Sequence, residues 1–221
     1  MAISGTLVLQ GEEDVSFRIL GMLMAVWLLW VPTSVGAAED TPTTRFSANM
    51  ADLKSSLKAF SQTIDTYNQS VKAVTDFDVE AAKAKVAEIK DQIKQLLDQL
   101  SDNSPLGKSQ YDLTRWIEHN RRLVRTDPLL SSERKALLEK AWAERADDIQ
   151  RAGTEISAAR KALIEQLNTV TGDETFLTQL LFLEKADEAA TLIKQFLNDI
   201  KSFSESLRRR MEALPVPTPA S

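Results

Sequence analysis

Apolar residues return along much of this chain at alternating steps of four and three, which is the spacing that puts them on one stripe of an α-helix. From Phe46 the series runs through Met50, Leu53, Leu57, Phe60, Ile64, Tyr67, Val71 and Val74 without an exception. It predicts a first helix over 47–74. Val79, Ala82, Val86, Ile89, Ile93, Leu96 and Leu100 repeat the pattern and predict a second over 79–100. Only Thr75-Asp76-Phe77-Asp78 lies between them, with Asp78 placed to cap the second helix. So short a link makes the two helices antiparallel, and their narrow stripes read as a coiled-coil hairpin whose arms zip onto each other.

Proline and glycine divide the rest, because proline breaks a helix interior and glycine costs about 1 kcal/mol there relative to alanine. A short basic helix is predicted over 109–126, opened by the capping-box pattern of Ser109 and Asp112 and closed by Asp127-Pro128. A long helical hairpin is predicted over 131–214. Its first arm extends to Val170, with Leu138, Trp142, Ile149, Ala152, Ile156, Ala159, Leu163 and Leu167 in register and Arg145 as the polar interruption. Thr171-Gly172-Asp173 reads as the turn, and the second arm as 174–214. That arm shows two apolar rows, one from Phe176, Leu180 and Leu183 to Leu207, the other from Leu177 and Leu181 to Phe203. A wide stripe touches more than one neighbour, so this arm is expected at the centre of the bundle. The fold class is all-α: an antiparallel helical bundle of about five helices, with no strand-like segment.

The ends read differently. Ile19 to Val31 is thirteen residues without a charge, followed by Pro32 and then the small residues Val35, Gly36, Ala37 and Ala38. This is signal-peptide anatomy, with cleavage expected after Ala37. A bilayer-spanning helix needs about 20 apolar residues, so an uncleaved N-terminal anchor is the alternative and requires counting on through Pro32 to Ala38. Glu12, Glu13 and Asp14 against a single Arg18 depart from the basic lead-in such signals carry. Residues 1–37 are thus assigned as the signal peptide, 38–46 as a linker and 215–221, with Pro215, Pro217 and Pro219, as a disordered tail.

Composition narrows the chemistry. The chain has no cysteine, which excludes disulfides, thiolate metal sites, a cysteine nucleophile and a lipid-modified cysteine. Its formal charge of −5 becomes about −3 once 1–37 is removed, a mild acidity that argues against nucleic acid. The scattered glycines build neither kind of phosphate-cradling loop. The single histidine, His119, stands three residues after Trp116 and so lacks the Glu-x-x-His pairing of bundle di-iron proteins. No catalytic, cofactor-binding or metal residues are assigned, and an enzyme is not expected; Tyr111, Glu118 and His119 are the first groups to inspect for one. Asp147 with Asp148, and Glu184 with Asp187, read as solvated salt-bridge faces. Asn68-Gln69-Ser70 fits the glycosylation pattern by chance inside a helix.

Two basic clusters remain. Arg208-Arg209-Arg210 is explained by the negative end of its helix. Arg115, His119 and Arg122 share a face of the third helix, with Arg121 and Arg125 beside them, and forked guanidinium donors suit carboxylates and phosphates. These five residues form the candidate anion or partner patch. Together these features lead to the expectation of a non-catalytic extracytoplasmic scaffold or adaptor, periplasmic or secreted, that engages an envelope partner. The partner would be a protein or a second copy meeting the helical hairpins, with membrane proximity as a further option. A small-molecule or anion-binding bundle, with a pocket near Trp116, Trp142 or Phe176, is the alternative.

Overall fold

The computed structural model describes residues 40–73 and 78–215. The expected signal peptide, most of the 75–78 link and the tail beyond Pro215 lie outside them. Five α-helices follow one another: α1 (Pro42–Ala73), α2 (Val79–Gln99), α3 (Pro105–Thr126), α4 (Ser132–Phe182) and α5 (Ala186–Glu212). No strand occurs among the described residues, so the fold is an all-α bundle.

Side-chain pairs fix the directions. Gln99 on α2 donates to Ser56 on α1 at 3.0 Å and Lys85 to Ser70 at 2.9 Å, so α2 runs antiparallel to α1. Further along α1, Asn49 donates to Ser109 and to the Pro105 carbonyl, both at 3.0 Å, and Arg45 pairs with Asp112 at 3.6 Å. Hence α3 continues the course of α2 beyond a short elbow at residues 101–104. The 51 residues of α4, about 75 Å of helix, run back along both: Lys90 pairs with Glu174, Arg160 with Asp102 at 3.9 Å and Arg125 with Glu139. Finally α5 returns antiparallel to α4 and α1, joined by Arg210–Glu155 at 2.8 Å and Lys201–Asp65 at 2.9 Å. The result is an up-down-up-down four-rod bundle in which α2 and α3 share one rod, with α1 diagonal to α4.

The expected two-arm zipper of 47–100 is corrected by this arrangement. The seam of α1, nearly inaccessible from Phe46 to Ile64, faces α5 and α3, whereas α2 packs mainly on α4. Along the border that α1 and α2 share, polar pairs join the two helices, including Tyr67 donating to Glu88 and Lys85 donating to Ser70. A stripe that borders two rods buries more apolar surface than a two-sided zipper, and the four-rod core takes it. Asn68 is buried against α5, its amide nitrogen donating to Asn198 at 3.3 Å, which removes it from any glycosylation role.

Boundaries move for local reasons. The first helix begins at Pro42 rather than 47, so 42–46 is helix and core, not linker. The third begins at Pro105: Ser104 caps it, its hydroxyl accepting from the Gly107 N–H at 3.0 Å, and Pro105 fills the first helical position. Ser109, expected as the cap, lies buried inside the helix and bridges to α1. The largest displacement is the α4–α5 turn, at Leu183-Glu184-Lys185 instead of 171–173. The Lys185 N–H reaches the Leu180 carbonyl at 2.8 Å and the Glu184 N–H the Leu181 carbonyl at 2.9 Å, the paired bonds of a Schellman end. Glu184 takes φ 58, a position that normally belongs to glycine. Gly172 instead sits mid-helix in open space, its cost offset by the burial of Val170, Leu177 and Leu180 around it. Phe176 to Phe182 therefore belong to α4, and α5, with one buried face, occupies a corner of the bundle against α4 and α1 rather than its centre. Gly172→Ala should raise stability by about 1 kcal/mol and Glu184→Gly by about 0.5–1 kcal/mol in urea unfolding. A turn at 171–173 would reverse the sign of the first.

Candidate partner-binding tip

The four rods do not end together. Helix α1 begins alongside Asp112 of α3, and α5 finishes beside Glu155 of α4, with Leu214 and Pro215 reaching the level of Asp147 to Arg151. Beyond that level, among the described residues, only α3 and α4 continue, joined by the loop 127–131. From Glu118 to Asp148 no residue is buried, the longest such stretch among the described residues. This two-helix tip extends roughly 15 Å past Ile117, the last fully buried residue of α3.

At its base Trp116 and Trp142 meet edge to face, ring centres 5.1 Å apart and planes at 78°. Such a pair contributes about 0.5–1.5 kcal/mol beyond its buried area. Arg145, the polar interruption in the α4 series, lays its guanidinium over Trp142 at 5.0 Å and extends the stack. Midway up, Arg125 grips Glu139 of α4 with both prongs, Nη2 to Oε2 at 3.0 Å, while Lys135 donates to the Arg125 carbonyl at 3.3 Å. The Arg125 hydrogen bonds lower Glu139 from the ordinary carboxylate value, and Glu139 in turn raises Arg125. At the apex the Asp127 carboxylate accepts from the Leu129 N–H at 2.8 Å and fixes the loop, leaving Leu129 92% exposed.

The five candidate residues all lie on α3, from the base of the tip to its apex, but they divide. Arg125 is spent on α4. Arg121 lies half-buried between the helices, with its Nε enclosed and unpartnered, and its charge also lowers Glu139. Arg115 is exposed over the Tyr111 ring at 5.7 Å. His119 and Arg122 are exposed on the outer face and meet no partner among the described residues. Sequence reasoning missed two exposed apolar residues of the tip, Leu129 and, at 64% exposure, Leu137; Leu123 of the third helix, at 51%, joins them. Their signal was present, since Leu129 and Leu137 fall outside the helical stripe. Arg134 and Lys135, just past the apex, also escaped notice.

Elsewhere the chemistry is structural. Arg208 pairs with Glu212 at 3.0 Å and Arg210 with Glu155, which absorbs two members of the second arginine cluster. Asp173 is raised by burial and by the nearby Asp199. Tyr111, Glu118 and His119 make no hydrogen bond to one another and stand exposed instead of converging in a cleft. No group of three metal-ligating side chains occurs among the described residues, and no described helix is long and apolar enough to cross a membrane. Trp142 and Phe176, proposed pocket residues, are about 50 Å apart on one unbroken helix. An open groove of about 770 Å³ runs beside the elbow, lined by Gln110, Gly153, Arg160 and Lys161. No family model, curated protein or solved structure matches the chain.

Proposed function

We propose that this chain is a non-catalytic extracytoplasmic scaffold or adaptor whose two-helix tip engages a partner in the cell envelope. The tip is the observation that carries the reading. A stretch of 31 residues with no buried member projects past the core, and it groups exposed leucines at its apex with exposed cations on its outer face, a combination suited to meeting a partner. The four-rod body buries most of its apolar seams within one chain, which favours the tip over the hairpin stripes as the contact surface. The extracytoplasmic setting rests on the Ile19–Val31 pattern.

A photo-cross-linking residue placed at Arg122 or at Leu129 in growing cells, with one at the exposed Gln195 of the body as control, tests this. Adducts confined to the envelope fraction and at least about tenfold more abundant from the tip are expected. Equal yields from tip and body, or a chain recovered in the cytoplasm, would overturn it.

A further inference from the structure

The chemistry of the apex specifies its partner more narrowly, on the premise that the tip is the binding element. Three exposed leucines, Leu123, Leu129 and Leu137, lie within about 10 Å of the loop along the helix axes. In the same band the chain carries Arg121, Arg122, Arg125, Arg134, Lys135 and Lys140 against Asp127, Glu133 and Glu139, with Arg125 paired to Glu139. That is a local excess of cations in a protein whose formal charge is −5. Apolar side chains at the extremity with a collar of guanidinium and ammonium groups behind them match the layering of a lipid surface, where acyl chains lie beneath a plane of phosphates.

The opposite end of the bundle also exposes apolar side chains, Phe182 at 88% and Leu183 at 59%, but they stand among Glu184, Lys185, Asp187 and Glu188, an acidic surround, so the tip is where exposed leucines coincide with a cation excess.

We infer that the apex of the α3–α4 tip docks on an anionic phospholipid surface, with Leu129 inserted among the acyl chains and Arg122 and Arg134 on the headgroup phosphates. Protein docking is the competing occupant. It requires a complementary acidic pocket with an apolar centre, for which nothing in the chain's own geometry selects.

The test uses residues 39–221, which contain the entire core and omit the apolar leader, so that any lipid binding comes from the bundle. Flotation is measured with vesicles of an equimolar phosphatidylglycerol and phosphatidylcholine mixture, and with phosphatidylcholine alone. Binding at least about tenfold stronger to the anionic vesicles, weakened by salt, is expected. Leu129→Asp and Arg122→Glu should each reduce it by about tenfold or more while leaving helicity unchanged, because both side chains are exposed. The absence of cysteine permits a single environment-sensitive dye at Leu129→Cys, which should shift to the blue on anionic vesicles, whereas the same dye at Gln195→Cys should not. No flotation, equal flotation on both vesicles, or variants that bind as well as the parent would overturn the lipid assignment. The adaptor reading falls separately, only if cross-links from the tip in cells fail as well.

Discussion

Truncating Phe46 to alanine is expected to cost about 3–5 kcal/mol. Its side chain is 0% exposed, in the second turn of a helix that opens at Pro42. That turn is built to hold: the Thr41 and Thr44 hydroxyls each accept from the other's backbone N–H, at 3.2 and 2.9 Å, and Thr43 is buried just ahead of the phenyl ring. Losing the ring removes its transfer free energy and leaves a cavity that four converging rods close only in part. For a bundle of this size each kcal/mol corresponds to about 2–4 °C, so a fall in Tm of roughly 10 °C is anticipated by calorimetry. In a linker the same substitution would change stability by less than about 0.5 kcal/mol, the effect expected of Leu123→Ala on the tip. The pair of variants thus decides whether residues 42–46 belong to the core.

Gly107→Ala should destabilise by about 2–3 kcal/mol, far more than helix propensity allows, since alanine is otherwise the better helix former. A Cβ at this position would stand 2.5 Å from the Asp102 carbonyl oxygen and 2.6 Å from that of Ser101, both backbone atoms of the elbow. The elbow must open to admit it. Opening displaces Ser104 from its cap and Leu106 from the core, so α3 loses register with α1 and α4. Gly153→Ala makes the instructive contrast. There the clash is with the terminal amide of Gln110, which can swing away, and the loss should stay near or below 1 kcal/mol in chemical unfolding. A Gly107 variant as stable as its parent would show that the elbow does not need its tight approach.

Much of the fold was written in the periodicity. The stripes of α1 and α2 name their buried residues almost without error, because a helix with a narrow apolar face has one way to hide it. Periodicity says which face is buried but not against which neighbour, and so the border between α1 and α2 was read as a zipper. The turn at 183–185 was illegible for a different reason. It uses Glu184 in a left-handed conformation where the sequence offers no glycine, while the glycine that resembles a turn, Gly172, is carried by packing on either side. Tertiary burial overrode local propensity at both places. At the tip, the arginines of α3 were visible as a cluster, but their division was not: the pairing of Arg125 with Glu139 depends on α4 folding back along α3. Leu129 and Leu137 fell outside every stripe and were passed over, although an apolar residue without a place in the core is itself informative.

The absence of buried residues between Glu118 and Asp148 also sets a hierarchy of cooperativity. Opening the tip exposes little beyond the Trp116–Trp142 contact and the Arg125–Glu139 grip, whereas opening the body exposes the whole core. The tip is therefore expected to open as a unit of its own at a lower free energy than the body, which amide hydrogen exchange would show as weaker protection between Glu118 and Asp148. Helix α4 passes through both as one unbroken hydrogen-bonded ladder, so its first third can fray and re-form while its remainder stays locked in the bundle. The chain therefore offers its environment a segment that can be reshaped by contact, mounted on a base that such contact leaves intact.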